Sequence, residues 1–190
     1  MNMAYMDEES YRTKAYKLII CGDGYIGKTS LRKRFFGEGF KTNYSVTLAA
    51  DFAVKKHQYK ENDYVLHIWD VAGQPSFKTV RGSYYKNASG LILMFDLSNE
   101  KSFLDVPKWL DEFSENSNKG GHEIPIILIG NKVDLRGRKD LQIIDHERGV
   151  QYAKELSEWS NFEVPYVETS ALSGINVDIA FNKLIGVMDR

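Results

Sequence analysis

The chain has 190 residues, of which 43% are hydrophobic and 27% charged, a composition that excludes disordered and fibrous proteins and predicts one globular domain. Its 25 Lys and Arg nearly balance its 26 Asp and Glu, so the net charge is −1 and nucleic acid is not an expected partner. The single cysteine excludes an internal disulfide and fits a reducing compartment.

Residues 1–14 predict a flexible N-terminal extension. They are polar and contain no apolar run of the kind that a signal peptide needs. The longest apolar runs, 91–95 and 124–129, are too short to cross a membrane. The last residues contain no cysteine for prenylation. We therefore expect a cytoplasmic protein that reaches the cytosolic face of membranes only through partners or a tail absent from this chain.

Short apolar runs alternate with helical patterns along the chain. The first run, Lys17–Cys21, is bounded by a glycine and predicts a buried strand. Leu31, Phe35 and Phe36 then share one face of a helix. The next two runs, at 51–57 and 64–70, flank turn-like residues and predict an antiparallel hairpin whose turn covers 61–63.

The second half of the chain repeats the same alternation. Runs 90–95 and 124–129 are almost continuously apolar, as expected of parallel strands covered on both faces. Between them, apolar residues at helical spacing predict a helix, in which Pro107 is tolerable only in the first turn. A strand over 164–168 and a final amphipathic helix starting near Val177 complete the pattern. The alternation predicts an α/β fold with a mostly parallel sheet and helices on both faces.

Ligands of such sheets bind at the carboxyl ends of the strands, so the loops after these strands are the expected site. Directly after the first strand comes Gly22-Asp23-Gly24-Tyr25-Ile26-Gly27-Lys28-Thr29, which fits the pattern G-x-x-x-x-G-K-[ST]. Its glycines let backbone N–H groups wrap around phosphates. Lys28 supplies a charge for the β- and γ-phosphates, and the Thr29 hydroxyl can bind Mg²⁺. The motif alone predicts a nucleoside triphosphate and does not choose the base.

A second loop, Gly130-Asn131-Lys132-Val133-Asp134, follows an apolar strand about 100 residues later. A carboxylate such as that of Asp134 can accept hydrogen bonds from both N1–H and the N2 amine of guanine, a pair that adenine lacks. At about 1.5–3 kcal/mol for each bond, guanine would be preferred roughly a hundredfold to ten-thousandfold. Asn131 can brace the loop, and the Lys132 stem can cover the ring.

These two loops resemble those of the Ras-like small GTPases, and most closely of their Rab branch, over nearly all of residues 14–188. The further matching pieces are Phe40, Tyr44-Ser45-Val46-Thr47, Trp69-Asp70-Val71-Ala72-Gly73-Gln74 and Glu168-Thr169-Ser170-Ala171-Leu172. The resemblance implies a P-loop NTPase fold, or G domain, over residues 15–190. Its six-stranded sheet is mostly parallel with one antiparallel strand, and helices cover both faces.

The resemblance also implies the site. It assigns nucleotide binding to Gly24, Tyr25, Ile26, Gly27, Lys28, Thr29, Ser30, Phe40, Tyr44, Thr47, Gly73, Asn131, Lys132, Asp134, Ser170, Ala171 and Leu172. Mg²⁺ would be held by Thr29, by Thr47 when a γ-phosphate is present, and by Asp70 through water. Gly73 would contact the γ-phosphate by its N–H, and the Ala171 N–H would face the base oxygen. Gln74 would be the catalytic residue, orienting the attacking water.

The function implied is a switch that binds GTP or GDP with Mg²⁺ and hydrolyses GTP slowly, at about 10⁻⁴ s⁻¹ in the Ras proteins. Partners would read residues 42–52 and 70–86: effectors, exchange factors, and activating proteins that supply an Arg. Membrane trafficking or a related signalling process is the expected setting. Two alternatives remain: a nucleotide-binding scaffold with little or no hydrolysis, and an ATP-dependent kinase, which Asp134 disfavours.

Four residues depart from the family pattern. Val46 replaces a Pro in the first switch loop, and Ala49 replaces the usual Rab Gly. Pro75 replaces the Glu after Gln74, so exchange by the usual route is in doubt, because Pro removes a backbone N–H and a carboxylate. Leu172 replaces a Lys, with little expected effect on guanine binding. Gly24 is retained, which favours hydrolysis.

Overall fold

The computed structural model describes residues 13–39 and 47–190. The predicted residues Phe40, Tyr44 and Val46 lie outside them, as do residues 1–12 of the expected extension. One sheet is formed by β1 (Lys14–Cys21), β2 (Ala50–Tyr59), β3 (Asn62–Val71), β4 (Gly90–Asp96), β5 (Ile126–Asn131) and β6 (Tyr166–Thr169). The strand order is β2-β3-β1-β4-β5-β6. The β2–β3 pair is antiparallel and the other pairs are parallel, which confirms the predicted α/β architecture.

Helices cover both faces of this sheet. They are α1 (Lys28–Phe35), α2 (Lys78–Tyr85), α3 (Glu100–Leu104), α4 (Val106–Asn116), α5 (His146–Trp159) and α6 (Val177–Met188). Leu18 and Ile20 of β1 pack in a core shared with α1 and α6. Ile19 and Cys21 pack in a second core shared with α4 and α5. Successive side chains of a strand point to opposite faces of the sheet. Because a core lies on each face, odd- and even-numbered residues of β1 must both be apolar, which accounts for the continuous hydrophobic run.

The hairpin is confirmed, but its turn lies earlier than predicted. Tyr59 pairs with Asn62 and Gln58 with Asp63, so the connection consists of Lys60 and Glu61. Lys60 has φ +54, as the first residue of a tight two-residue hairpin turn commonly does. The polar residues Asn62 and Asp63, which suggested a turn, are instead the exposed first residues of β3.

The helical segment between β4 and β5 is two helices rather than one. The two helices meet at Asp105, which occupies both the C-cap position of α3 and the N-cap position of α4. Pro107 lies in the first turn of α4, where its missing N–H costs no helical hydrogen bond, as predicted. Among the described residues, no helix has the length and apolar character needed to span a membrane.

Sequence reasoning did not identify α2 or α5. The buried side of α5 is made by Gly149, Ala153 and Leu156, a weak hydrophobic signal. A Cβ at position 149 would lie 2.2 Å from Cζ of Tyr166, so a glycine is needed where this helix crosses the sheet. A helix that packs through small residues leaves little trace in a pattern of large apolar side chains.

The beginning of β1 is joined to the end of α6 through one carboxylate. Asp189 accepts hydrogen bonds from Lys14 Nζ at 2.9 Å, from Tyr16 Oη at 2.7 Å and from the Tyr64 hydroxyl. Burial alone would raise the pKa of Asp189, but these donors outweigh it and lower the pKa below its usual value. The carboxylate therefore stabilises the fold in its charged form.

We expect Asp189→Asn to lower the free energy of unfolding by about 2 kcal/mol at neutral pH, because three donors lose a charged acceptor. Since the folded pKa is depressed, the difference from the parent should be constant above about pH 5 and shrink only as pH falls below about 4. Urea unfolding between pH 7 and pH 3 measures this. Glu163→Gln, which breaks an exposed pair with Arg190, is the control. If Asp189→Asn and the parent differed in free energy of unfolding at pH 3 by as much as at pH 7, stabilisation by the charged Asp189 carboxylate would be contradicted.

Candidate nucleotide site

A cavity of about 310 Å³ lies at the carboxyl ends of the strands, where the sheet predicts a ligand. Its volume is at the lower end of the range for small-molecule sites. It is lined by Gly24, Tyr25, Gly27, Lys28, Thr29, Ser30, Thr47, Ala72, Gly73, Gln74, Asn131, Lys132, Asp134, Leu135, Ala171 and Leu172. Residues from all the predicted loops with described coordinates therefore meet around one space.

The phosphate loop needs its glycines for close packing as well as for backbone freedom. Gly22 has φ +145, and a Cβ there would lie 2.2 Å from the carbonyl oxygen of Met94. Gly27 has φ +98, and a Cβ there would lie 2.5 Å from Nδ2 of Asn131. Tyr25 adopts the left-handed region at φ +67 although it carries a side chain. The loop is thus bent tightly between β1 and α1, a shape that turns backbone N–H groups inward.

Lys28 begins α1 and is almost fully buried. Its Nζ donates to the carbonyl oxygens of Gly22 at 2.8 Å and Asp23 at 2.6 Å, so the side chain spans its own loop. Burial lowers the pKa of Lys28 to about 8, although the nearby Asp70 carboxylate opposes the shift. The ammonium therefore remains mostly charged at neutral pH, fixed beside the loop.

Three oxygen-bearing side chains converge next to this lysine. The Thr29 hydroxyl lies 3.0 Å from the Thr47 hydroxyl and donates a hydrogen bond to Asp70. Asp70 is fully buried, and burial raises its pKa although the bond from Thr29 opposes the shift. Its Oδ1 has no hydrogen-bond partner among the described residues. A buried carboxylate oxygen without a partner is costly, and a cation at this point would satisfy it.

These oxygens suit a hard cation, and Mg²⁺ binds through one or two protein ligands together with waters and phosphate oxygens. Within residues 13–39 and 47–190 there is no group of three or more His, Cys, Asp or Glu side chains that could hold a metal ion alone. The residues present therefore fit Mg²⁺ bound together with a phosphate ligand, and they do not fit an all-protein metal site.

Asn131 connects the two ends of the cavity. Its Nδ2 donates to the carbonyl oxygen of Ile26 in the phosphate loop at 2.8 Å. Its Oδ1 accepts from Thr169 Oγ1 and from the Ala171 N–H, both at 3.1 Å. The bracing role expected for Asn131 thus appears as direct bonds, whereas the Ala171 N–H, expected to face the base, is here directed to Asn131.

The remaining base-loop residues lie around the same end. Asp134 accepts a hydrogen bond from the Ser170 hydroxyl, so the two loops that would contact a base touch each other. Lys132 has φ +70, and its Nζ lies 2.6 Å from Oδ2 of Asp96 at the end of β4. Leu172 is half exposed at the rim. The carboxylate of Asp134 is therefore held on the cavity wall.

Gln74 lies at the phosphate end. Its Oε1 is buried and has no hydrogen-bond partner among the described residues. Its Nε2 would lie 3.8 Å from a Cβ placed on Gly24, so the glycine leaves room for it. Gly73 approaches the phosphate loop closely, since a Cβ there would lie 2.4 Å from Gly24 N. Gln74 and Gly73 thus lie beside the phosphate loop on the wall of the cavity.

Sequence reasoning missed two wall residues. Ala72 and Leu135 line the cavity, and each directly neighbours a predicted residue, so adjacency was the available signal. Ile26, Asp70 and Ser170 were predicted but do not line the wall. They act from behind it, through the bonds to Asn131, Thr29 and Asp134.

The chain is similar in sequence to known proteins. The family profile described as "Ras family" matches residues 17–190. The chain is 35% identical to "Ras-related protein Rab-13" of Rattus norvegicus over 169 residues, covering 89% of this chain and 77% of that protein. It is 34% identical to "Ras-related protein Rab7" of Pisum sativum over 178 residues, covering 92% and 82%. It is 35% identical to "Ras-related protein Rab-10" of Diplobatis ommata over 166 residues, covering 87% and 77%.

The contact between Gly73 and the phosphate loop can be tested with one methyl group. Gly73→Ala would place a Cβ 2.4 Å from Asp23 C, forcing the two segments apart. Overpacking of this kind costs roughly 1–3 kcal/mol, so the affinity ratio of a non-hydrolysable guanosine triphosphate to the diphosphate should fall about tenfold. Equilibrium binding measures it. Gly39→Ala, where a Cβ meets no atom of the described residues within 4 Å, should leave the ratio unchanged. If the triphosphate-to-diphosphate affinity ratio were the same in Gly73→Ala and Gly39→Ala, the predicted contact between Gly73 and the γ-phosphate would be contradicted.

Proposed function

The chain belongs to the Ras family of small GTPases, with Rab proteins among its relatives, and we propose that it is a Mg²⁺-dependent switch that binds GTP or GDP and hydrolyses GTP slowly. The observation that carries the proposal is the meeting of separate motifs at one cavity. Lys28, Thr29 and Asp70 lie at its phosphate end, and Asp134 lies at its base end. A domain spanning residues 15–190 fits this proposal, although β1 already begins at Lys14.

Mg²⁺ is supported by the unpartnered Asp70 oxygen and by the two threonine hydroxyls beside it. When bound, the ion would neutralise phosphate charge and so ease cleavage of the γ-phosphate bond. The protein's own part is to hold Thr29 and Thr47 within hydrogen-bond distance of each other. The buried Asp70 adds a carboxylate that accepts a hydrogen bond from Thr29 and can hold the ion through water.

Hydrolysis is assigned to Gln74 and Gly73. The free Oε1 of Gln74 can accept a hydrogen bond from a water and so orient it toward the phosphorus atom. The Gly73 N–H can donate to an oxygen of the terminal phosphate. Among the described residues lining the cavity there is no arginine. We therefore expect a partner to supply an Arg that accelerates the reaction by about 10³–10⁵.

The proposed switch depends on the two segments that carry Thr47 and Gly73. Thr47 and Gly73 would each contact the γ-phosphate, so its loss would release both segments. Ala72 N–H donates to the Ala49 carbonyl at 2.9 Å, which couples the segments to each other. A partner that contacts both would then bind one nucleotide state better than the other.

The proposed partner surface, residues 42–52 and 70–86, includes two members of a partly exposed aromatic row. Phe52 is 45% exposed, and its ring centroid lies 4.8 Å from that of Trp69, which lies 5.4 Å from that of Tyr84. Aromatic side chains of this kind are enriched in protein interfaces. The row supports binding of effector, exchange-factor and activating proteins. We propose a cytoplasmic setting in membrane trafficking or related signalling, with membrane contact through partners.

A nucleotide-binding scaffold without turnover is the second candidate, because Pro75 replaces a residue of the usual exchange route. Measuring phosphate release by the purified protein separates the two. Gln74→Leu should reduce the single-turnover rate about tenfold or more, because the water loses its acceptor. Gln151→Leu, at an exposed position on α5, is the matched control and should not change the rate. Equal rates for the parent and Gln74→Leu would favour the scaffold.

Base choice is tested at Asp134. We expect Asp134→Ala to weaken GDP binding about a hundredfold and to reduce the preference for GDP over ADP by the same factor, because two hydrogen bonds to a carboxylate are lost. Competition binding against both diphosphates provides the measurement. Asp140→Ala removes a carboxylate that is exposed and paired with Arg138, outside the cavity. If Asp134→Ala retained the parent's preference, guanine recognition by this residue would be disproved.

A further inference from the structure

Arg81 on α2 is a buried charge that the proposed mechanism does not use. Its side chain is 4% exposed, and Glu112 on α4 neutralises it. Arg81 Nε and Nη2 donate to the two oxygens of Glu112, each at 2.7 Å. Tyr85 Oη adds a third bond to this carboxylate at 2.8 Å. A two-pronged, buried ion pair fixes the guanidinium plane, so its remaining nitrogen points in one direction.

That remaining nitrogen holds the backbone of the proposed catalytic segment. Arg81 Nη1 donates to the carbonyl oxygen of Gln74 at 2.7 Å and to that of Ala72 at 3.2 Å. These carbonyls lie on either side of Gly73. In a trans peptide the N–H points opposite to the preceding C=O, so a fixed Ala72 carbonyl directs the Gly73 N–H away from Arg81. Gly73 packs on the phosphate loop, where that N–H is needed.

The next residue, Pro75, restricts the same segment further. A proline disfavours the helical region for the residue before it, and Gln74 is extended, with φ −73 and ψ 139. Since its carbonyl is held by Arg81 and its ψ is restricted by Pro75, Gln74 has little backbone freedom left. Both restraints fix the backbone from which its side chain extends.

The anchor of Arg81 also reaches the phosphate loop. The guanidinium lies over the Trp109 ring, 4.6 Å from the centroid. Trp109 Nε1 in turn donates to Asp23 Oδ1 at 2.8 Å. Asp23 immediately precedes Gly24, which faces Gln74. One side of α4 therefore holds both the segment 72–74 and the loop opposite it, and sets the distance between them.

We infer that Arg81, held by Glu112 and Trp109, is a positioning residue for GTP hydrolysis that aligns the Gly73 N–H and the Gln74 side chain with the phosphate loop. The inference rests on the proposed hydrolysis. Arg81 touches neither the phosphates nor the water in this arrangement. It acts through the two carbonyls, and its effect should appear in the rate of the chemical step rather than in the affinity for GDP.

The test is single-turnover hydrolysis of bound GTP by Arg81→Lys, which keeps the charge but loses the fork that joins Glu112 to both carbonyls. We expect a rate about 10- to 100-fold below the parent, with GDP affinity within about threefold of the parent. Glu112→Gln, which removes the anchor from the other helix, should lower the rate in the same direction. Arg148→Lys alters an exposed two-pronged pair with Glu100 and should leave the rate unchanged.

A double variant distinguishes positioning from general loosening. If Arg81 acts through Gln74, then Gln74→Leu combined with Arg81→Lys should be hardly slower than Gln74→Leu alone. The inference would be overturned if the rate losses of Gln74→Leu and Arg81→Lys were fully additive in the double variant. It would also be overturned if Arg81→Lys and Glu112→Gln hydrolysed GTP at the parent rate, or if their GDP affinity fell in parallel with the rate. A parent rate equal to that of Gln74→Leu would instead overturn the proposed hydrolysis, and the inference with it.

Discussion

The site depends on one buried amide. Asn131 closes β5, and its side chain bonds at once to the phosphate loop and to the loop after β6. Arg34 of α1 also donates to the carbonyl oxygens of Ala171 and Leu172, but Asn131 bonds to the phosphate loop itself. Buried polar groups in such networks are costly when unpaired, and here two of the three Asn131 bonds also satisfy a backbone group, the Ile26 carbonyl and the Ala171 N–H. One side chain thus joins the phosphate loop directly to the loop after β6.

The main features of this arrangement could be predicted from the sequence because they are local. The phosphate loop follows directly from Gly22, Gly27 and Lys28, and the apolar runs require strands covered on both faces. The Asp134 loop was predictable because a polar motif follows a buried strand. Parallel topology then brings the strand ends together, so the shared cavity followed from the fold rather than from any one motif.

The remainder depends on contacts between residues that are distant in sequence. Arg81 and Glu112 are 31 positions apart, and nothing in either local pattern indicates that they meet. Helix α5 was missed because it packs through Gly149 and Ala153. The effect of having Ala49 in place of the usual Rab glycine is visible only in the backbone. Its φ of +61 lies in a region that favours glycine and costs an alanine roughly 1–2 kcal/mol. Strain of this kind lies next to the Ala72–Ala49 bond that couples the two switch segments.

The carboxylate of Asp189 has a practical consequence for handling the molecule. Its bonds place the start of β1 beside the end of α6, at the amino end of β1. The cavity lies at the carboxyl ends of the strands, and the length of β1 separates the two by roughly 25 Å. A linker or dye attached before Lys14, or one attached after Asp189, would therefore leave from the same side. A molecule tethered immediately before Lys14 or after Asp189 would present its cavity to the solution.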